Sequence, residues 1–279
     1  MLTFRKMLLI LFILTNTCVL AQSNLQAQYD YASKQFNDEK YFDAITEFKR
    51  LLFFDSLKQY SFDANKYIAM SYKQGGKFTD AIKYFSLSEL GTTNLDSIFD
   101  IKIEIVKINL LRRTIYRTFD LLNDLNEDIL FKAKKDKITY WKGWAYIFND
   151  DWEKASEEFA KLDINHELKI ICDNVSEAQF SKTKAKVLSY ILPGAGQFYT
   201  GNYISGILSL SWVALWSYIA VEAFLADRIF DGLMVANFLA FRFYNGNVQN
   251  AEKFADERNS ELTNWGLNYL QNNYRGPKP

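Results

Sequence analysis

Apolar residues in the first two thirds of the chain recur at intervals of three and four, as in "NDEKYFDAITEFKRL", "KQGGKFTDAIKYFSL" and "FNDDWEKASEEFAKL". That is the period of a helix with one buried face. Tyr and Phe fall inside these helical patterns instead of alternating with polar residues as they would on strands. The chain's only prolines are Pro193, Pro277 and Pro279, so long helices are permitted everywhere before residue 193. The pattern predicts an all-α protein.

The three stretches quoted above are copies of one unit. Ala44, Ala81 and Ala155 superpose at separations of 37 and then 74 residues, which predicts a further copy centred near residue 118. It is there in worn form. Tyr41, Phe78, Ile115 and Trp152 stand three residues before the alanine column, and Phe48, Phe85, Leu122 and Phe159 stand four after it. Thr118 replaces the alanine itself. Each unit predicts two antiparallel helices, a small residue allowing close crossing and bulky neighbours filling the groove.

These units resemble the tetratricopeptide repeat. The likeness covers Gln26 to Asp163 and is carried by Gly143, Tyr146, Ala155 and Phe159 in the last copy and by Ala69, Tyr72, Ala81 and Phe85 in the second. The first copy, with Ala32, Gln35, Ala44 and Phe48, is looser. Two departures stand out: the period is 37 where the family has about 34, and every copy lacks the family's terminal proline. The resemblance implies a helical-hairpin solenoid over residues 22–165, whose concave groove is lined by the first helix of each pair and holds a protein or peptide partner. Carried over residue by residue, the groove positions are Tyr29, Phe36, Lys66, Met70, Lys73, Tyr140 and Trp144. Aromatics and a methionine flanked by lysines suit a ligand with an apolar anchor and some acid.

After residues 166–185, expected to form a linker or capping helix, the pattern changes. Lys182, Lys184 and Lys186 lead into Val187 to Leu192, then Pro193-Gly194-Ala195-Gly196-Gln197, then Ile204 to Leu225, an apolar run whose only charge is Glu222. About 20 such residues cross a bilayer. A second apolar run, Ile229 to Tyr244, is interrupted by Asp231, Asn237 and Arg242. The two predict a hydrophobic helical hairpin within a membrane-associated domain over 186–260, followed by a polar tail over 261–279 that is helical in pattern until Asn272 and solvated. The glycines do not form a nucleotide loop: a Walker-type loop needs Lys-Ser or Lys-Thr after its last glycine, where this chain has Asn202-Tyr203. A bend at the membrane surface fits better. Pro193 ends a helix, Gly194 and Gly196 allow positive φ and close approach, and Gln197 offers a donor and an acceptor to backbone groups freed by the break.

This region is similar to a small bacterial membrane domain of unassigned function found in repeat-bearing envelope proteins. The matching positions are Pro193, Gly194, Gly196, Gln197, Tyr199 and Gly201, then Tyr244, Gly246, Asn247, Ala251 and Asn259. The likeness implies a packed helical hairpin closed by glycine contacts, and brings no activity with it.

At the N-terminus, Arg5 and Lys6, an apolar run from Met7 to Leu14 and the stretch "CVLAQ" give the layout of a secretory signal over residues 1–21, with an uncleaved anchor as the alternative. The 33 basic and 33 acidic residues balance, which argues against nucleic acid as a partner. His166 and Cys172 are the histidine and the cysteine of the exported chain, too few for a metal centre or a histidine-assisted nucleophile. The expectation is therefore of a non-enzyme with no catalytic residue, cofactor, metal or nucleotide. It would be a periplasmic adaptor tethered to the bacterial inner membrane, with a protein partner in its groove and lipid around its hairpin. The alternative makes the membrane hairpin the working part, an oligomer that inserts, exports or conducts, with the repeats regulating it.

Overall fold

The computed structural model describes residues 24–279. The expected signal segment lies outside the described residues. No strand occurs among them, and the chain forms two compact units that divide between Asn149 and Asp150. The all-α expectation holds.

The first unit is a series of helical hairpins: α1 (24–37) with α2 (Tyr41–Phe54), α3 (Ser61–Gln74) with α4 (Phe78–Glu89), α5 (Leu95–Leu111) with α6 (Ile115–Glu127), then a 3₁₀ turn and α7 (Lys135–Phe148). The repeat is written in the backbone as well as the side chains. Glu39, Gly76, Arg113 and Asp150, spaced 37 apart, all take left-handed φ values of 60°, 68°, 54° and 61°. At the first three, the following amide donates back to a carbonyl five residues earlier, Lys40 to Gln35 at 2.9 Å, Lys77 to Tyr72 at 2.8 Å and Thr114 to Asn109 at 3.0 Å. This is the left-handed cap that satisfies the last carbonyls of a helix and reverses the chain.

The alanine column is closed to solvent: Ala44, Ala81, Thr118 and Ala155 are all 0 % exposed, as are Phe48, Phe85, Leu122 and Phe159. Thr118 fits in the worn copy because its hydroxyl donates back to Thr114 O at 3.1 Å, so no polar group is left unpaired. Each buried Phe contributes about 1.5–3 kcal/mol against exposure, and the clusters run between consecutive hairpins. Ala32, Ala44, Phe48 and Leu51 pack with Ala64 and Ile68 of the next pair; Ala69, Ala81 and Phe85 pack with Ile101, Ile105 and Ile108 of the one after.

The fourth copy is divided: α7 lies in the first unit, while α8 (Trp152–Ala160) opens the second. There α8 pairs with α9 (Glu167–Ala178), and α10 (Lys182–Ile191), α11 (Ala195–Tyr199), α12 (Tyr203–Leu225), α13 (Ile229–Val235), a π-helical turn (Ala236–Ala240) and α14 (Phe241–Asn273) follow. α12 and the arm starting at α13 form the expected apolar hairpin. Its turn repeats the left-handed device, with Asp227 at φ 55° and Arg228 N donating to Ala223 O at 2.9 Å. Gly232 lets the arms close, since a Cβ there would meet the Phe224 ring at 2.8 Å.

The tail is helical as expected, α14 running through Asn273, but its expected solvation is corrected. It turns Thr263, Gly266 and Leu270 inward. Trp152, 0 % exposed, donates its indole N–H to Thr263 Oγ1 at 3.1 Å, and a Cβ on Gly266 would strike the same indole at 2.7 Å. The stretch looks polar in sequence because most of its buried stripe after Val248, namely Ala251, Ala255, Thr263 and Gly266 ahead of Leu270, consists of small residues with little hydrophobic weight.

Candidate functional site

In the first unit, contacts link consecutive first helices. Tyr29 of α1 lies against Tyr67 of α3, ring centroids 6.4 Å apart, and Phe36 against the same Tyr67 at 5.0 Å. Burial, with the Asp63 carboxylate adding to it, pushes the Tyr29 phenol up to about 12, as expected of a ring packed between hairpins. Farther along, Lys73 of α3 pairs with Glu104 of α5 at 2.9 Å. Glu104 also pairs with Lys107, whose ammonium sits 4.9 Å from the ring centre of Trp141 on α7. Burial works to raise the Glu104 carboxyl, but Lys73 and Lys107 outweigh it and hold it below the usual glutamate range.

The expected groove positions therefore divide. Lys66, Met70, Lys73 and Tyr140 keep part of their surface, Lys66 lying over Phe62 at 5.7 Å and Met70 covering the core formed by Ala81 and Phe85. Tyr29 and Phe36 are half-buried packing between hairpins. Trp144 is corrected outright: at 3 % exposure it is a core residue and presents no surface to a ligand. Sequence reasoning missed Glu104, Lys107 and Trp141, which continue the Lys73 row; the Glu104–Lys107 pair, three residues apart on α5, was one of several charged positions there, with Asp96, Asp100 and Lys102, and did not stand out.

In the second unit, the two halves of the glycine-containing motif meet. α10 ends at Ile191, and Pro193 has no N–H with which to serve Ser189 O four residues back. Asn247 of α14, 2 % exposed, fills that gap by donating Nδ2 to Ser189 O at 3.2 Å. Its Oδ1 accepts from Gly194 N at 2.8 Å and from Gln197 Nε2 at 2.9 Å, and its carbonyl accepts from the same Nε2 at 2.9 Å. The Ser189 hydroxyl accepts from Gly196 N at 3.0 Å and donates to Gln197 Oε1 at 3.2 Å. Every polar member of this buried knot has a partner, the condition under which such a network fixes geometry.

The other motif positions follow. Gly194 takes φ 91° and lies so close to Gly206 O that a Cβ would stand 2.3 Å away; Gly201 takes φ 78°. Gly196 needs no unusual φ and serves close approach instead, a Cβ there meeting Ala185 O at 2.2 Å and Ala251 Cβ at 2.6 Å. The Tyr199 hydroxyl accepts from Ser181 N at 3.1 Å, and the Tyr244 hydroxyl donates to Tyr190 O at 2.8 Å. Asn259 brackets Phe180, accepting from its N–H at 2.7 Å and donating to its carbonyl at 2.9 Å. Gly246 is the exception: nothing lies within 4 Å of where its Cβ would be.

α12 is 23 residues long with a mean hydropathy of 1.7 over its most apolar stretch, of which 11 % is buried. At 1.5 Å per residue it reaches about 34 Å, enough for a hydrocarbon core of about 30 Å. Among the described residues, one helix is therefore long and apolar enough to span a membrane. The two side chains most suited to chemistry, His166 and Cys172, serve the packing of the second unit. His166 caps α9 by accepting Leu168 N at 3.1 Å and stacks on Phe159 at 5.3 Å, while burial, with Asp173 adding to it, drives the Cys172 thiol far above its usual range. No group of metal-ligating side chains occurs among the described residues.

No family model, curated protein or solved structure matches this chain.

Proposed function

We propose that this protein is a non-catalytic scaffold of the bacterial envelope, held in the inner membrane by its apolar hairpin. Tetratricopeptide-like repeats on the periplasmic side then capture another envelope protein. The observation that carries the reading is the contrast between the two kinds of helix. α12 leaves Ile204, Leu210, Trp212 and Phe224 exposed over most of its circumference, while the repeat hairpins bury their apolar columns completely. An apolar surface of that extent on one hairpin calls for lipid or protein cover. On the repeats, Lys66, Met70, Lys73, Lys107 and Tyr140 form a basic and partly apolar row in which Glu104 already neutralises one charge. An extended segment with an apolar anchor and an acidic group fits it.

The test has two parts on the full chain in cells. Alkaline carbonate should leave the protein in the membrane pellet. A photo-crosslinking residue at Tyr140 or Lys66 should give a discrete adduct that is absent when the same group replaces Tyr116, 92 % exposed on the second helix of its pair. Release by carbonate would overturn the tether; adducts equal at all three positions would overturn the groove.

A further inference from the structure

The apolar hairpin carries a groove of mixed polar and apolar lining along one side. It has a volume of about 420 Å³ and is lined by Ser205, Ser209 and Trp212 of α12 and by Arg242, Gly246 and Asn250 of α14, among others. Ser205 and Ser209 lie one turn apart and Trp212 follows, so the α12 wall grades from hydroxyls near the start of the span to an aromatic deeper in. Trp212 stacks on Phe243 at 5.5 Å, forming an apolar floor.

Arg242 is the anomaly. Between residues 150 and 273 every other cation has a carboxylate or ring partner: Lys154 with Asp151, Lys161 with Glu158, Lys169 with Asp173, Lys182 with Asp256, Lys186 with Glu252, Lys253 with Glu257, Arg228 with Asp231, Arg258 with Glu261, and Lys184 over Tyr199. Arg242 makes no hydrogen bond or ion pair with the described residues. An arginine beside an apolar span is costly unless an anion meets it. Gly246 is otherwise unexplained. It adds no side chain to the groove wall, with nothing within 4 Å of its would-be Cβ, so the space in front of Arg242 stays open. Ser209 accepts weakly from Gln197 Nε2 at 3.4 Å and keeps its own hydrogen for a ligand.

We infer that this groove binds the headgroup of an anionic phospholipid, resting on the membrane placement proposed above. The guanidinium takes two phosphate oxygens, the serine hydroxyls and the Asn250 amide donate alongside, and an acyl chain lies on Trp212 and Phe243. A second copy docked groove to groove by a two-fold axis would set Arg242 against Arg242, so charge selects lipid over self-association.

The full-length protein is reconstituted in phosphatidylcholine bilayers containing phosphatidylglycerol. In parallel samples the brominated acyl chains are placed on one lipid or the other, and quenching of Trp212 is read as the fluorescence difference from Trp212→Phe. The expected result is about a fivefold preference for phosphatidylglycerol, the factor one basic residue near an anionic surface is worth. The preference should be lost in Arg242→Gln and in Gly246→Leu, which fills the groove, and kept in part by Arg242→Lys. Equal quenching by both lipids, or an unchanged preference in Arg242→Gln, would overturn the site while leaving the tether standing. Loss of the preference on adding inorganic phosphate would make it a small-anion site and overturn the lipid. Failure of the wild-type protein to co-float with the bilayers would overturn the membrane reading and this inference with it.

Discussion

Replacing Asn247 with alanine tests whether the break at Pro193 is held by a side chain from α14. The substitution removes three hydrogen bonds, at 2.8, 2.9 and 3.2 Å, and strands two buried backbone groups, Gly194 N–H and Ser189 C=O. Gln197 keeps its bond to the Asn247 carbonyl at 2.9 Å, so it is weakened without being orphaned. A buried donor or acceptor left without a partner costs about 1–3 kcal/mol, which puts the loss for the two groups at about 2–6 kcal/mol. Asn245→Ala, on an exposed position of the same helix, should stay within about 0.5 kcal/mol. Equilibrium unfolding in mild detergent, followed by tryptophan fluorescence, measures both. Hydrogen exchange at the Gly194 amide provides a local reading and should accelerate by at least tenfold in the alanine variant. A loss under about 0.5 kcal/mol together with unchanged exchange at Gly194 would refute the idea that Asn247 stands in for the N–H that proline lacks.

Other substitutions test separate links. Glu104→Gln should flatten the acid limb of stability: because Lys73 and Lys107 hold the folded carboxyl below its ordinary range, its contribution is present above the unfolded pKa of about 4.3 and is lost as pH falls through the folded value. Unfolding midpoints across about pH 5 to 3 should therefore converge between wild type and variant at the acid end. Gly196→Leu should cost more than about 3 kcal/mol and prevent the second unit from folding, since its Cβ would stand 2.2 Å from Ala185 O, whereas Gly246→Ala should fall within about 1 kcal/mol of wild type in a thermal melt. Arg113→Gly should raise the melting temperature slightly by relieving a non-glycine residue at φ 54°, a gain of up to about 1 kcal/mol, while Gly76→Ala at φ 68° should lower it by a similar amount.

What the chain disclosed in advance, and what it concealed, follows from how strongly each feature constrains residue type. The repeat was legible even in its worn third copy because the flanks, half-buried Ile115 and fully buried Leu122, must stay bulky, whereas the left-handed turn at Glu39, Gly76, Arg113 and Asp150 fixes no residue type and left no mark in the sequence. The motif from Pro193 to Gly201 was legible because positive φ together with sub-van-der-Waals spacing admits glycine almost alone. Groove positions were less legible. A first-helix residue on the inward face is accessible or buried according to how the next hairpin packs, and α7 turns Trp144 into its own core while leaving Tyr140 partly open. The C-terminal helix was least legible, because its partners are far away in sequence. Thr263 waits for Trp152, Asn259 for Phe180, and Asn247 for the carbonyl that Pro193 leaves over. Those three polar contacts carry a consequence for function. α14 is one continuous helix from Phe241 to Asn273 that starts beside the apolar α12 and reaches α8 and α9, so a load at Arg242 and a load at Trp152 act on the same helix. A displacement of either end along the helix axis strains the Asn247 knot, the Asn259–Phe180 pair and the Trp152–Thr263 contact together, and the last offers only a single hydrogen bond.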